Sequence, residues 1–186
     1  MNWYSAADTP ELAGFGPVTG LGVTGRGAPG GPAHLAAITA LYAVAHPLTG
    51  LAGLPMPVLE GRWWVEDATR HPLDVPRDEW HWHLFLRLPD DLDPALAEQA
   101  REAARPTPGI DAVQLVTFTD GQCVQMTHHG SFAEEPKSLA LMDEFMRAHG
   151  LVPAGLHHEI YLSGLQETDP TALRTILRQP VRTARN

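Results

Sequence analysis

The chain has 186 residues, 44% hydrophobic and 19% charged, with a formal net charge of −9 and a single cysteine, Cys123. That length suits one domain that buries most of its apolar surface. The acidic balance, with no Lys/Arg cluster, excludes a nucleic-acid surface and disfavours an anionic membrane, because both need a basic face. One cysteine permits no internal disulfide and fits a reducing compartment.

Met1-Asn2-Trp3-Tyr4 lacks the basic and apolar regions of a signal peptide, and no apolar run approaches the roughly 18 residues of a membrane span, so a cytoplasmic protein is expected. Residues 1–17 hold Pro10, Gly14, Gly16 and Pro17 without a clear period and read as a lead-in. Thr19–Gly25 reads as a short strand. The turn that follows ends in Pro32, which suits the first turn of a helix. Leu35, Ile38, Leu41, Tyr42 and Ala45 recur at helical spacing, and Pro47 and Gly50 are expected to stop that helix near His46. Val58–Val65 and Asp78–Leu88 read as strands, joined by a polar, proline-marked connection over 66–77. Asp93 caps a short helix, Ala95–Ala104, with Pro94 at its first position. Asp120-Gly121 between Ala112–Thr119 and Gln122–His129 predicts a hairpin. Pro136–His149 is an amphipathic helix closed by Gly150, and His157–Ser163 is a strand. A brief helical turn opens at Asp169-Pro170, and Thr175–Val181 is the last strand.

Val23-Thr-Gly-Arg-Gly27 followed by a helix is echoed by Met126-Thr-His-His-Gly130 followed by a helix. The expected fold class is therefore α+β. Two β-α-β-β units related by a pseudo-twofold axis would form an antiparallel sheet with two long helices on one face, and a groove between the helices would be the pocket. The expected organisation is a lead-in over 1–17 and one ligand-binding domain over 18–186.

Gly25-x-Gly27-x-x-Gly30 nominally matches a dinucleotide fingerprint. However, Pro29 removes an amide where a phosphate needs one, and no acidic residue ends a second strand about 20 residues on. No cofactor is expected. His81 with His83, the pair His128-His129 and the pair His157-His158 lack the partners of a metal site, so no metal is expected either. Four of the five tryptophans, Trp63, Trp64, Trp80 and Trp82, sit on two neighbouring strands and form either an aromatic core or a pocket wall. In the strand from His157, alternation puts His157, Glu159 and Tyr161 on one face and His158, Ile160 and Leu162 on the other. If the first face is turned inward, Glu159 is a buried carboxylate needing a hydrogen bond, a raised pKa or a cationic ligand. If it is turned outward, Glu159 simply meets water.

Seven stretches, in order, resemble the GyrI-like family of small-molecule-binding proteins, in its stand-alone group without a DNA-binding module. They are Gly25-Arg-Gly-Ala-Pro-Gly-Gly31, Leu41-Tyr-Ala-Val-Ala45, Leu59-Glu-Gly-Arg-Trp-Trp64, Trp80-His-Trp82, Gly121-Gln-Cys-Val-Gln-Met-Thr-His-His-Gly130, His157-His-Glu-Ile-Tyr-Leu-Ser163 and Leu173-Arg-Thr-Ile-Leu-Arg-Gln-Pro-Val181. The resemblance implies the paired β-α-β-β fold and an aromatic-lined groove with a glutamate at its floor. By position that glutamate is Glu159, with Tyr161 as its companion and His157 on the same face. Tyr42, Trp64, Trp82, Phe132 and Phe145 would form a cage, with Met126 and Met142 as adaptable filler. The implied partner is a flat, hydrophobic small molecule, often cationic, held by aromatic faces and a carboxylate. Some members of the group are hydrolases that open the strained cyclopropane of DNA-alkylating natural products. The resemblance therefore implies that Glu159 could deprotonate a water and Tyr161 could hydrogen-bond the substrate carbonyl. Three functional readings stand at this point: a xenobiotic-binding protein, a cyclopropane-opening hydrolase and a protein-protein docking module.

Overall fold

The computed structural model describes residues 2–67, 69–70, 72–164 and 167–184. The fold is α+β, with seven antiparallel strands and three α-helices among the described residues. The chain divides into two compact units, one of Val18–Phe118 and one of Met1–Pro17 with Thr119–Asn186. The first boundary falls inside β1 (Glu11–Arg26) and the second inside β4 (Gln114–His129).

In the unit of residues 18–118, the strands are the second half of β1, β2 (Leu59–Trp64) and β3 (His81–Leu88). The central strand is β3, antiparallel to β1 on one side and to β2 on the other. Its alternation separates two apolar faces. Trp82, Leu84, Leu86 and Leu88 are all buried, and their register partners Trp63, Val23 and Leu21 are buried with them. The ring of Trp82 lies flat over Gly25, where an added Cβ would come within 2.2 Å of it, so only glycine fits there. On the other face Phe85 meets Phe118 edge-on, with centroids 4.8 Å apart, and the Arg62 guanidinium lies 3.9 Å over Phe118.

Helix α1 (Pro32–Ala52) packs on the Trp82 face through His34, which touches both Trp63 and Trp82. Pro32 starts it as expected, but Pro47 does not stop it. A proline inside a helix gives up one hydrogen bond. Burial of Val44, Ala45 and Leu48 around Pro47 carries the helix on to Ala52, and Gly53, at φ 65°, ends it. The helix has no charged residue and is long and apolar enough to cross a membrane by length and composition, which corrects the expectation that no such run exists. A core helix meets the same measure, and this one buries Leu41, Ala45 and Leu48 completely. Helix α2 (Pro94–Ala103) packs on α1, and the Asp93 carboxylate caps it through the Ala95 amide at 2.9 Å, as its sequence predicts. Of the expected connection over 66–77, residues 68 and 71 lie outside the described residues. The rest contains a short 3-10 turn, Pro72–Asp74.

In the other unit, β7 (Arg174–Thr183) is the hub, antiparallel to β4, to β6 (His157–Tyr161) and to the short β5 (Leu151–Pro153). Helix α3 (Glu135–Ala148) packs Met142 and Met146 against Val124, Met126, Leu177 and Val181. One further expectation fails here. Asp120-Gly121 makes no hairpin: β4 runs straight through it, with only Gly121 in the left-handed region at φ 71°. Asp120 is not a solvated turn residue but has a side chain with no exposed surface, bonded at Oδ2 to His158 Nδ1 at 2.7 Å and 3.7 Å from Arg178 Nη1. That burial outweighs the local turn preference. The brief turn expected at Asp169-Pro170 is present as a single hydrogen-bonded turn, Ala172 N to Asp169 O at 3.0 Å.

Residues before 18, expected as a lead-in, are packed and paired. Trp3 is 5% exposed, β1 begins at Glu11, and Arg178 donates to the Trp3 carbonyl at 2.9 Å. Thr127 donates to the carbonyls of Ala6 and Ala7, and Gln125 to that of Ser5.

Replacing Asp120 by Ala strands a buried guanidinium and a buried imidazole. The expected loss is about 3–5 kcal/mol, read from urea unfolding. Beside it, burial pushes the Cys123 thiol up to about 12 from 9.0, with Asp120 adding to the shift and Arg178 opposing it. Between pH 9.0 and about 12 the folded chain keeps a proton that the unfolded chain has lost, so stability falls as pH rises through that window. Urea melts at stepped pH should show this slope flattened in Cys123→Ala.

Candidate functional site

The site is built on β6. Its register with β7 sets Glu159 beside Leu177 and Tyr161 beside Thr175. Leu177 belongs to the cluster that receives Met142 and Met146 of α3, so the face bearing His157, Glu159 and Tyr161 is the face turned to α3. The opposite face carries His158 and Ile160, both with no exposure. Of the two orientations that alternation allows, the chain adopts the one that takes Glu159 largely out of water, leaving its side chain 12% exposed.

A carboxylate so placed needs donors. The Tyr161 hydroxyl donates to Glu159 Oε2 at 2.8 Å. The other oxygen, Oε1, lies 3.6 Å from His157 Nε2. A phenol has one proton to give. While Tyr161 gives it to Glu159, it cannot give it to a substrate carbonyl, so its role here is to hold the carboxylate.

Phe132 stands edge-on to Tyr161, with centroids 5.8 Å apart and planes at 88°, and is 55% exposed. It opens a short 3-10 turn, Phe132–Glu134, before α3. His128 fixes that turn: its Nε2 meets the Ser131 carbonyl at 3.0 Å and its Nδ1 meets the Ser138 hydroxyl at 2.9 Å. A carbonyl only accepts, so Nε2 carries a proton. In register, His128, Thr175 and Tyr161 are neighbours across three strands. In the sequence His128 drew notice only as half of a histidine pair without metal partners and Ser138 drew none; the strand register places His128 beside Thr175 and Tyr161.

The remaining expected residues divide. Met126 and Met142, 3% and 1% exposed, are part of the core beneath α3. Phe145 packs on the same core, and His149 stacks on its ring with centroids 4.0 Å apart. Within the unit of residues 18–118, Trp82 is 2% exposed and forms an aromatic group with His34 and Trp63. Trp64 is not in that group: it stacks on His81, 5.3 Å away, on the opposite face of the strands. Neighbouring residues on a strand point to opposite faces, so Trp63, not Trp64, accompanies Trp82. Tyr42 is half-buried on α1, and burial pushes its hydroxyl above its ordinary value.

A cavity of about 150 Å³ in this unit is lined by Arg26, Glu66, Asp67, Arg70, Glu79 and His81 and contains none of the expected site residues. Among the described residues, no group of three or more His, Cys, Asp or Glu side chains could hold a metal ion.

Neither a family model nor a curated protein matches the sequence. Solved structures do. A conserved, uncharacterised protein from Listeria innocua is 36% identical with a TM-score of 0.88, over 97% of this chain and 95% of its own. The chain belongs to the family of that protein. A hydrolase from Listeria innocua in the same family is 34% identical with a TM-score of 0.82, over the same shares of both chains, 97% and 95%. The C-terminal domain of EcmrR, at 9% identity and a TM-score of 0.64 over 95% of this chain and 98% of its own, shares the fold.

Tyr161→Phe removes a hydrogen bond from a mostly buried carboxylate. Urea unfolding at neutral pH should show a loss of about 1–3 kcal/mol.

Proposed function

We propose that this protein binds a flat, hydrophobic small molecule over Phe132 and Tyr161 and hydrolyses it with Glu159. The observation that carries this reading is the 2.8 Å bond from the Tyr161 hydroxyl to a Glu159 carboxylate that is 12% exposed. A carboxylate held at one oxygen keeps the other for a water, and a fixed base of this kind is worth roughly 10²–10⁴ in rate. The hydrolase from Listeria innocua, at 34% identity over 95% of its length, supports the reaction class. The GyrI-like resemblance supports the substrate class. The element order β1-α1-β2-β3 and β4-α3-β6-β7 is compatible with the internal repeat that the family implies.

The substrate class is an electrophile with a strained ring, of which an arene-fused spirocyclopropyl dienone is the model. Water's oxygen bonds to the ring carbon as the cyclopropane C–C bond breaks. The electron pair moves to the conjugated carbonyl as phenolate. The water's proton passes to Glu159 Oε1 and from there to the phenolate oxygen. Ring strain lowers much of the barrier, so positioning a base and a water suffices. In a cell, such chemistry would protect against an alkylating xenobiotic.

A second reading, binding without turnover, draws on the exposed ring of Phe132 beside a carboxylate, which suits a planar cation. The two readings separate on Glu159→Gln. Hydrolysis predicts that the variant binds the dienone with unchanged tryptophan quenching but loses on the order of 10²-fold or more in ring-opened product by mass spectrometry. Binding alone predicts no product from either protein and weaker binding of a cationic planar dye to the variant. Equal turnover by Glu159→Gln and the native protein would refute the catalytic role.

A further inference from the structure

We propose that His128 is a positioning residue of this site, holding the Phe132 ring square to Tyr161 and thereby setting the affinity for a flat molecule. The proposal deepens the reading that such a molecule lies over these two rings, and rests on it.

The need for a positioning residue follows from where Phe132 sits. Its ring is 55% exposed and meets Tyr161 edge to face, with planes at 88°. Two rings at right angles make a corner, and a flat molecule stacked on one presents its rim to the other. The corner exists only while the backbone under Phe132 keeps its place. Sheet pairing does not hold that backbone. The β4–β7 ladder ends with His129 beside Arg174. After one more bond, from the Gly130 amide to the Leu173 carbonyl at 3.2 Å, Gly130 turns the chain away at φ 117°. An edge contact to one ring is too weak to order an exposed side chain by itself.

His128 supplies the hold. Its imidazole is buried, and its two nitrogens reach the chain on either side of Phe132. Nε2 donates to the carbonyl of Ser131, the residue before Phe132, at 3.0 Å. Nδ1 shares a hydrogen bond with the Ser138 hydroxyl, in the first turns of α3, at 2.9 Å. The Ser131 carbonyl also accepts from the Glu134 amide at 2.9 Å, so His128 grips the same peptide that closes the turn. Register places this clamp behind the site. His128 pairs with Thr175 and Thr175 with Tyr161, so imidazole and phenol leave the sheet on one face with β7 between them. The turn that carries Phe132 is thereby tied to the sheet that carries Tyr161, and the angle between the rings follows from that tie. His128 acts on a ligand through Phe132, not by touching it.

The test measures the Kd of ethidium, a planar cation, by fluorescence anisotropy, with melting temperatures in parallel. The variants are Phe132→Ala, His128→Leu, His128→Gln and Ser138→Ala, and Phe132→Ala combined with His128→Leu or with Ser138→Ala. Phe132→Ala and His128→Leu should each weaken binding about tenfold. His128→Gln, whose amide N–H reaches about as far as Nε2, should stay within about threefold of native. With Phe132 already removed, His128→Leu should weaken binding by less than about twofold more, because a residue that acts through another has nothing left to act on. A Kd for His128→Leu within about twofold of native, with Phe132→Ala weakened, overturns the role of His128 and leaves the placement of the ligand intact. An equal loss with and without Phe132 also overturns it, since that marks general damage rather than positioning. Should His128→Leu fail to fold, Ser138→Ala removes one end of the clamp while suiting a helix, and the same cycle with Phe132→Ala is read in the same way. Undiminished binding by Phe132→Ala, or none by the native protein, overturns the placement of the ligand over Phe132, and this proposal with it.

Discussion

A guanidinium with no exposed surface must be neutralised and fully hydrogen-bonded, and Arg178 imposes that demand on its whole unit. It bonds twice to the Gln125 amide oxygen and once to the Trp3 carbonyl, approaches Asp120 at 3.7 Å, and lies 3.6 Å over the ring of Phe15. Its partners come from β4, β1 and the segment before β1. One charge on β7 therefore fixes where three remote stretches of chain must lie. The aromatic rings add cation–π attraction where water is excluded.

Arg178 also settles the face of the site. It is the register partner of His158, whose Nδ1 reaches the same Asp120 carboxylate. With His158 held on that side, strand alternation leaves Glu159 no choice but the other. A slip of one residue would bring Glu159 to Asp120, setting two carboxylates together with no exposed surface, which the low dielectric forbids. The buried charge cluster on one face and the candidate site on the other are two consequences of one strand register.

The site is economical. Tyr161 fixes the carboxylate, His128 fixes the turn that carries Phe132, and the core beneath, Met126, Met142 and Leu177, is apolar. Function belongs to such side-chain arrangements more than to folds. Likeness to the EcmrR domain at 9% identity therefore carries the fold alone, while the Listeria innocua proteins, above 30% identity over nearly the whole chain, carry the family.

Periodicity in the sequence determined most of the elements: the helices after Pro32, Pro94 and Pro136, the alternating strands around Trp82 and Glu159, and the short list from which the site is drawn. These depend on spacing and local turn chemistry, which a sequence carries directly. The resemblance added Glu159 with Tyr161. Other features depended on partners distant in the chain. Pro47 reads as a stop, but the burial of α1 overrides it. Asp120-Gly121 reads as a hairpin, but Asp120 is claimed by His158 and Arg178, 38 and 58 residues away. Trp63 and Trp64 are equivalent in the sequence, and only register with Trp82 separates them. Residues before 18 read as a lead-in because they show no period of their own; Trp3 packs on Arg178 and His158, more than 150 residues on, as well as on Phe15. Alternation says which side chains share a face, but which face is buried is a long-range electrostatic decision, and that is what the tertiary structure supplied for Glu159.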